Sequence, residues 1–115
     1  MKLPNYDKST VPRTKVTDYL LSLSHYDGRG KARFFASFGF SLESWQILAE
    51  ALRRHPADHE VTRIESSSFG TRYVIEGIIS TPDGRAPFIR TVWFIETGEQ
   101  IPRFVTAYPL RRTER

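Results

Sequence analysis

Thr71-Arg72-Tyr73-Val74-Ile75-Glu76-Gly77-Ile78-Ile79-Ser80 leads through Thr81-Pro82-Asp83-Gly84-Arg85 into Pro87-Phe88-Ile89-Arg90-Thr91-Val92-Trp93-Phe94-Ile95-Glu96, and this stretch decides the fold. Both apolar runs are rich in β-branched and aromatic residues, which suit a pleated surface. The Pro-Asp-Gly between them is turn chemistry: proline presets φ, aspartate closes the turn through its side chain, and glycine accepts positive φ. Downstream, Thr97-Gly98-Glu99-Gln100 is a second turn and Arg103 to Tyr108 a last strand. Upstream, Val61, Arg63 and Glu65 alternate with Thr62 and Ile64 as a candidate edge strand, and Ser66-Ser67-Ser68 with Gly70 supplies its turn. Consecutive strands joined by short turns form an antiparallel meander.

Before Pro56 the apolar period is helical. Val16, Tyr19, Leu20 and Leu23 recur on one helical face over residues 16–23, with Thr14 or Thr17 as a candidate cap. Lys31 to Phe38 reads as a second short helix burying Phe34, Phe35 and Phe38, with Gly39 as its left-handed stop. Ser41 is a candidate N-cap for a third helix, Leu42 to Arg54, with a stripe of Trp45, Leu48, Ala49 and Leu52. Arg53, Arg54 and His55 fall in its last turn and Pro56 ends it. Helices followed by strands argue an α+β fold, with N-terminal helices packed on one face of a roughly four-stranded antiparallel meander sheet. The other sheet face then meets solvent or a partner.

The chain has 115 residues, enough for one core and not for two. Residues 1–13, with Pro4 and Pro12, read as an irregular lead-in draped on the core through Leu3 and Tyr6. Residues 14–110 read as a single α+β domain and 111–115 as a basic tail. Eight Phe, five Tyr and two Trp exclude wholesale disorder. The absence of cysteine excludes disulfides, iron–sulfur clusters, thiolate zinc and cysteine nucleophiles, and leans toward the cytoplasm. The N-terminus lacks a signal-peptide pattern, and no apolar run is long enough to span a membrane.

Lys plus Arg number 17 against 13 Asp plus Glu, a net charge of +4. Arginine dominates the positive charge and suits bidentate phosphate contacts, so RNA is the expected polyanionic partner. The plainer alternative is a basic surface that only aids solubility. No nucleophile elbow, phosphate loop or dinucleotide fingerprint is present, and no cofactor is implied. His55 and His59 have the i, i+4 spacing of a zinc helix, but Pro56 intervenes and no glutamate follows His55, so the pair reads as a polar helix end with no metal.

Two sets of residues carry candidate chemistry. His25, Arg29, Lys31 and Arg33 surround a glycine-bearing loop and the start of a helix. Backbone N–H groups there, with Arg29 and Lys31 beside them, suit a phosphate. An imidazole next to such a site is suited to proton transfer. A solvated loop is the alternative. The second set is Arg72, Arg90 and Arg103 on the strands, interleaved with aromatic residues as in an RNA platform. Arg90 and Val92 share one face, Thr91 and Trp93 the other, and Thr106 and Tyr108 share a face. A register pairing Arg90 with Tyr108 follows if the turn is counted as above, and a one-residue slip changes the partners. Trp93 and Phe88 read as core; Thr106 and Tyr108 fit either core or site.

Asp18-Tyr19-Leu20-Leu21, Lys31-Ala32-Arg33-Phe34-Phe35, Phe38-Gly39-Phe40, Thr81-Pro82-Asp83-Gly84-Arg85, Arg90-Thr91-Val92-Trp93 and Val105-Thr106-Ala107-Tyr108-Pro109 together resemble an uncharacterised family of small prokaryotic proteins, over residues 15–109. That family assigns no activity. The layout is more distantly similar to the barnase–EndoU–colicin–RelE-like superfamily of ribonuclease toxins. That likeness implies a metal-independent RNA endonuclease of a toxin–antitoxin system, with a small cognate antitoxin. It implies His25, Lys31, Arg90, Thr106 and Tyr108 as catalytic candidates, with Arg29, Arg33, Arg72 and Arg103 left to hold RNA. The alternative is a non-enzymatic α+β module that binds a protein partner, as an antitoxin or immunity protein does.

Overall fold

In the computed structural model, residues 1–26 and 28–110 are described; Asp27 of the expected turn and the basic tail 111–115 lie outside them. A short α1 (Arg13–Lys15) runs into a π-helical segment, Val16–Leu20, and is followed by α2 (Arg29–Ser37) and α3 (Trp45–Asp58). Strands β1 (Val61–Ser67), β2 (Gly70–Ile78), β3 (Phe88–Glu96) and β4 (Arg103–Pro109) form an antiparallel sheet in the order β1-β2-β3-β4. The architecture is therefore the expected α+β arrangement, with helices N-terminal to a meander. Among the described residues, no helix is long and apolar enough to cross a membrane.

One face of the sheet meets the helices. Ile75, Ile89, Trp93, Phe104 and Ala107 pack there against Val16, Leu20, Phe35, Leu48 and Leu52. Trp93 and Phe104 meet edge to face, with centroids 5.4 Å apart. The register pairs Arg90 with Tyr108, as read from the sequence, and Glu76 with Arg90. A bulge between Val92 and Trp93 leaves Val105 of β4 without a cross-strand partner. Bulges re-aim neighbouring side chains. This one lets Phe104 reach the core while Thr106 and Tyr108 stay on the face of Val92 and Arg90.

Several boundaries differ from expectation. The first helix begins at Arg13, and Pro12 holds the cap position, so neither Thr14 nor Thr17 caps it. Thr17 instead donates back to the Arg13 carbonyl at 3.2 Å. The helix ends at Leu20, and Leu23, assigned to the stripe, is 65% exposed. A wide turn, with the Leu21 N–H bonded to the Val16 carbonyl at 2.8 Å, explains the change: it rotates Tyr19 off the buried stripe. The third helix starts at Trp45, because the Ser41 hydroxyl accepts from the Ser44 N–H and holds a turn ahead of it. Pro56 does not end that helix, which continues to Asp58. In the last turn a proline removes only one ladder bond, and here His55 and Pro56 are both buried while Lys2 donates to the Ala57 carbonyl at 3.0 Å.

The α2 stop is as read. Gly39 has φ +102°, its N–H reaches the Ala36 carbonyl, and the Phe40 N–H reaches the Phe35 carbonyl. This is a Schellman closure, completed by the Phe35–Phe40 ring contact. The lead-in is more ordered than its composition suggests. Leu3 is buried, Tyr6–Lys8 form a 3-10 turn, and Thr10 bridges in parallel to Arg103 at the outer edge of β4. Tyr6 lies outside the core, 37% exposed, because its turn projects it to solvent.

Candidate functional site

Along β4, between the first helical segment and α2, lies an open cleft of about 540 Å³ lined by Thr14, Lys15, Asp18, Tyr19, His25, Lys31, Val105 and Thr106. Three of the expected catalytic residues, His25, Lys31 and Thr106, meet here from a loop, a helix and a strand. Lys31 donates to the Tyr19 phenol oxygen and, at 2.9 Å, to Thr106 Oγ1. The Tyr19 and Thr106 hydroxyls are themselves 3.1 Å apart, closing a triangle. Lys15 donates to the Val105 carbonyl at 2.9 Å, so the bulge residue supplies the acceptor that anchors this lysine.

Glycine 28 holds the loop in place. A Cβ there would lie 2.2 Å from the Tyr19 carbonyl oxygen, so only glycine allows this approach. The Gly28 N–H donates to His25 Nδ1 at 3.0 Å, and the Arg29 N–H to the His25 carbonyl at 3.0 Å. The start of α2, expected to offer these donors to a phosphate, thus spends two of them on His25. The imidazole stands edge-on to the Tyr19 ring, with centroids 5.0 Å apart.

Burial alone raises the Tyr19 pKa. Hydrogen bonds from Lys31 and Thr106 and the charges of Lys31 and Lys15 outweigh it, and the phenol lies below its ordinary value. Sequence reading placed Tyr19 on an apolar stripe and did not single out Lys15 or Asp18. The signals available were the Lys15–Tyr19 i, i+4 spacing and the place of Asp18-Tyr19 among the family motifs.

Arg90 and Tyr108 adjoin the cleft without lining it. Lys31 Nζ lies 5.5 Å from the Tyr108 ring centroid, and Arg90 donates to the Tyr108 hydroxyl at 3.0 Å. Arg90 is also ion-paired with Glu76, a partner the sequence reading did not weigh. Together with Arg63, Arg72 and Val74 they line a shallower depression of about 400 Å³ on the open sheet face. Arg72 pairs there with Glu65 at 2.9 Å. Arg103 lies away from both, 3.9 Å from Glu96. Arg29 and Arg33 are exposed on α2, with Arg29 over the Tyr26 ring at 5.7 Å.

The His55–His59 pair is not a polar helix end. His55 is 1% exposed, its Nδ1 is 2.8 Å from Thr91 Oγ1, and its Nε2 is 3.1 Å from the Gly77 carbonyl. Trp93 Nε1 donates to the same Thr91 oxygen at 2.9 Å. His59 Nε2 reaches the Ile78 carbonyl at 2.8 Å. Among the described residues, no group of three His, Asp or Glu is placed to hold a metal ion.

These features define a small α+β protein with a lysine-rich cleft beside an edge strand. The chain belongs to the family described as "Domain of unknown function (DUF6883)", which matches residues 2–111. No curated protein matches it in sequence. Its fold is similar to that of a chain from a contact-dependent growth inhibition toxin – immunity protein complex from Klebsiella pneumoniae 342. The TM-score is 0.72 at 16% identity, covering 93% of this chain and 97% of that one. At that identity the likeness concerns the fold.

Proposed function

We propose that this protein is a metal-independent RNA endonuclease of the toxin kind, held in check by a cognate partner protein. The observation that carries the reading is the meeting of His25, Lys31 and Thr106 in one open cleft beside β4. Cleavage through the ribose 2′-hydroxyl needs a group that accepts its proton and cations that stabilise the charge building on phosphorus. Lys31 and Lys15 are the cations, and His25 acts on the phosphodiester beside them. Thr106, Tyr108 and Arg90 continue from Lys31 along β4 and β3 as supports for phosphate, ribose or base. Arg29 and Arg33 extend the positive charge along α2. The fold likeness to a toxin–immunity complex is compatible with this reading.

The test is inducible expression in a bacterium, with growth and total RNA integrity followed, beside incubation of the purified chain with RNA in a chelator. Wild type should arrest growth and fragment RNA. His25→Ala and His25→Asn should relieve both while melting cooperatively, the asparagine retaining an acceptor for the Gly28 N–H. Lys31→Ala should lower cleavage by about 100-fold, the scale of losing one donor to a developing anion. Normal growth with intact RNA, at confirmed soluble expression, sinks the reading. It would favour the second one, a non-enzymatic module that binds a protein partner. The same fold likeness supports that reading, since the complex contains an immunity protein as well as a toxin.

A further inference from the structure

The hydrogen bonds within the cleft divide the work between its two rings, and this division rests on the endoribonuclease reading above. We propose that Tyr19 is the general base that takes the 2′-hydroxyl proton, and that His25 serves as a neutral hydrogen-bond donor rather than as the base.

The argument begins at His25. Its Nδ1 accepts from the Gly28 backbone N–H at 3.0 Å, and a backbone amide cannot reverse that role. The single proton of the neutral ring therefore sits on Nε2, where the ring offers a donor and no lone pair. An imidazole fixed in this tautomer can stabilise charge on a phosphoryl oxygen. It cannot accept a proton at Nε2 without giving up the Gly28 bond.

Tyr19 has the complementary arrangement. Its oxygen accepts from the Lys31 ammonium and lies 3.1 Å from Thr106 Oγ1, which itself accepts from Lys31. Thr106 thus has its proton to give to Tyr19. Both neighbours favour the phenolate, and a phenolate oxygen with two donors keeps a lone pair for the substrate. The charged and titratable groups facing it are Lys15 and Asp18 on its own segment, His25 on the loop, Lys31 on α2 and, beyond Lys31, Tyr108 on β4. The two ammonium groups outnumber the one carboxylate, in line with the lowered phenol pKa. The wide turn at Val16–Leu20 is what brings Tyr19 here from a stripe that would otherwise bury it. Such turns recur at functional sites.

In the step itself the Tyr19 oxygen takes the 2′-hydroxyl proton as the 2′-oxygen bonds to phosphorus. The bond from phosphorus to the 5′-oxygen breaks, and the leaving oxygen takes a proton from water. The products are a 2′,3′-cyclic phosphate end and a 5′-hydroxyl end. Tyr19 then returns its proton to water.

The experiment is the pH dependence of single-turnover cleavage, measured for an RNA that the wild-type chain cuts. The wild-type rate should rise with pH along a limb set by Tyr19, below the ordinary phenol value of about 10. Tyr19→Phe, which keeps the ring, should lose about 100-fold or more and lose the limb. His25→Asn should be slower with its limb unmoved. Lys15→Met removes a cation that does not touch the phenol oxygen and should move the limb to higher pH. A limb that persists in Tyr19→Phe and vanishes in His25→Asn would overturn the assignment, as would near-wild-type cleavage by Tyr19→Phe. If wild type cuts no RNA, the endoribonuclease reading falls and this one falls with it, an outcome separate from the other two.

Discussion

His55 shows how far a residue's surroundings can move it from what its letter suggests. A histidine in the last turn of a basic helix reads as solvated, yet this one is buried beneath the sheet with both nitrogens engaged. The Gly77 carbonyl accepts from Nε2, so Nδ1 accepts from Thr91, whose oxygen in turn accepts from Trp93. Protonation would put a second hydrogen where the Thr91 donor already points. Burial, foremost, lowers the His55 pKa to about 4 from 6.5, and the His59 ring adds to the shift against the Gly77 carbonyl and Asp58. A depressed pKa means the unfolded chain binds the extra proton between those values. This contribution to stability is complete above about pH 6.5 and is lost as pH falls toward 4. Its size is about 3 kcal/mol. Urea unfolding at several pH values should show that slope, and a His55→Asn variant, less stable throughout, should lack it. Equal slopes in the two proteins would remove His55 as its source. Thr91→Val should cost about 2–4 kcal/mol at neutral pH, since it leaves two buried groups without partners.

At the scale of elements, the strands were legible and the helix boundaries less so. Period-two patterning and Pro-Asp-Gly chemistry depend on neighbours in sequence, and the Arg90–Tyr108 pairing followed from them. The bulge at Val105 did not, because nothing local distinguishes it; it depends on Phe104 reaching Trp93 across the sheet. The wide turn at Val16–Leu20 was hidden for the same reason, since an ordinary helix satisfies the same apolar spacing. His25 and Lys31 were found because loop histidines and lysines near a helix start stand out. Tyr19 was not, because a tyrosine among leucines reads as core. Glycine 28 was visible only as a turn residue, whereas its role is to let the loop lie on the Tyr19 carbonyl. Gly28→Ala should therefore cost roughly 1–3 kcal/mol by overpacking and lower cleavage by displacing His25. Gly30→Ala, where a Cβ meets nothing within 4 Å, should leave cleavage intact and stabilise α2 by up to about 1 kcal/mol. Thermal melts and cleavage rates of the two variants check this contrast; similar behaviour of the pair would refute the packing argument.

Over the whole molecule, a net charge of +4 does not say where a polyanion would lie. The ion pairs do. On the open sheet face Arg63 and Arg72 share Glu65, and Arg90 is held by Glu76, so much of that positive charge is compensated within the sheet. Around the cleft, Lys15 and Lys31 face Asp18 as the lining carboxylate among the described residues, and Arg29 and Arg33 stand exposed on the helix that carries Lys31. A strand entering the cleft would therefore run along α2 rather than across the sheet. Each phosphate contact to single-stranded nucleic acid contributes about 0.7 to the slope of log affinity against log salt. For a 2′-O-methyl RNA, which cannot be cut through its 2′-oxygen, the Arg29→Ala/Arg33→Ala double variant should flatten that slope by about 1.4 if both residues touch phosphate. Arg72→Ala should change it by less than about 0.7, because the arginine already gives part of its charge to Glu65. Fluorescence anisotropy over a salt series measures both. An unchanged slope in the double variant, with a clear drop for Arg72→Ala, would place the RNA on the open sheet face and make Arg90 and Tyr108, rather than α2, the approach to the cleft.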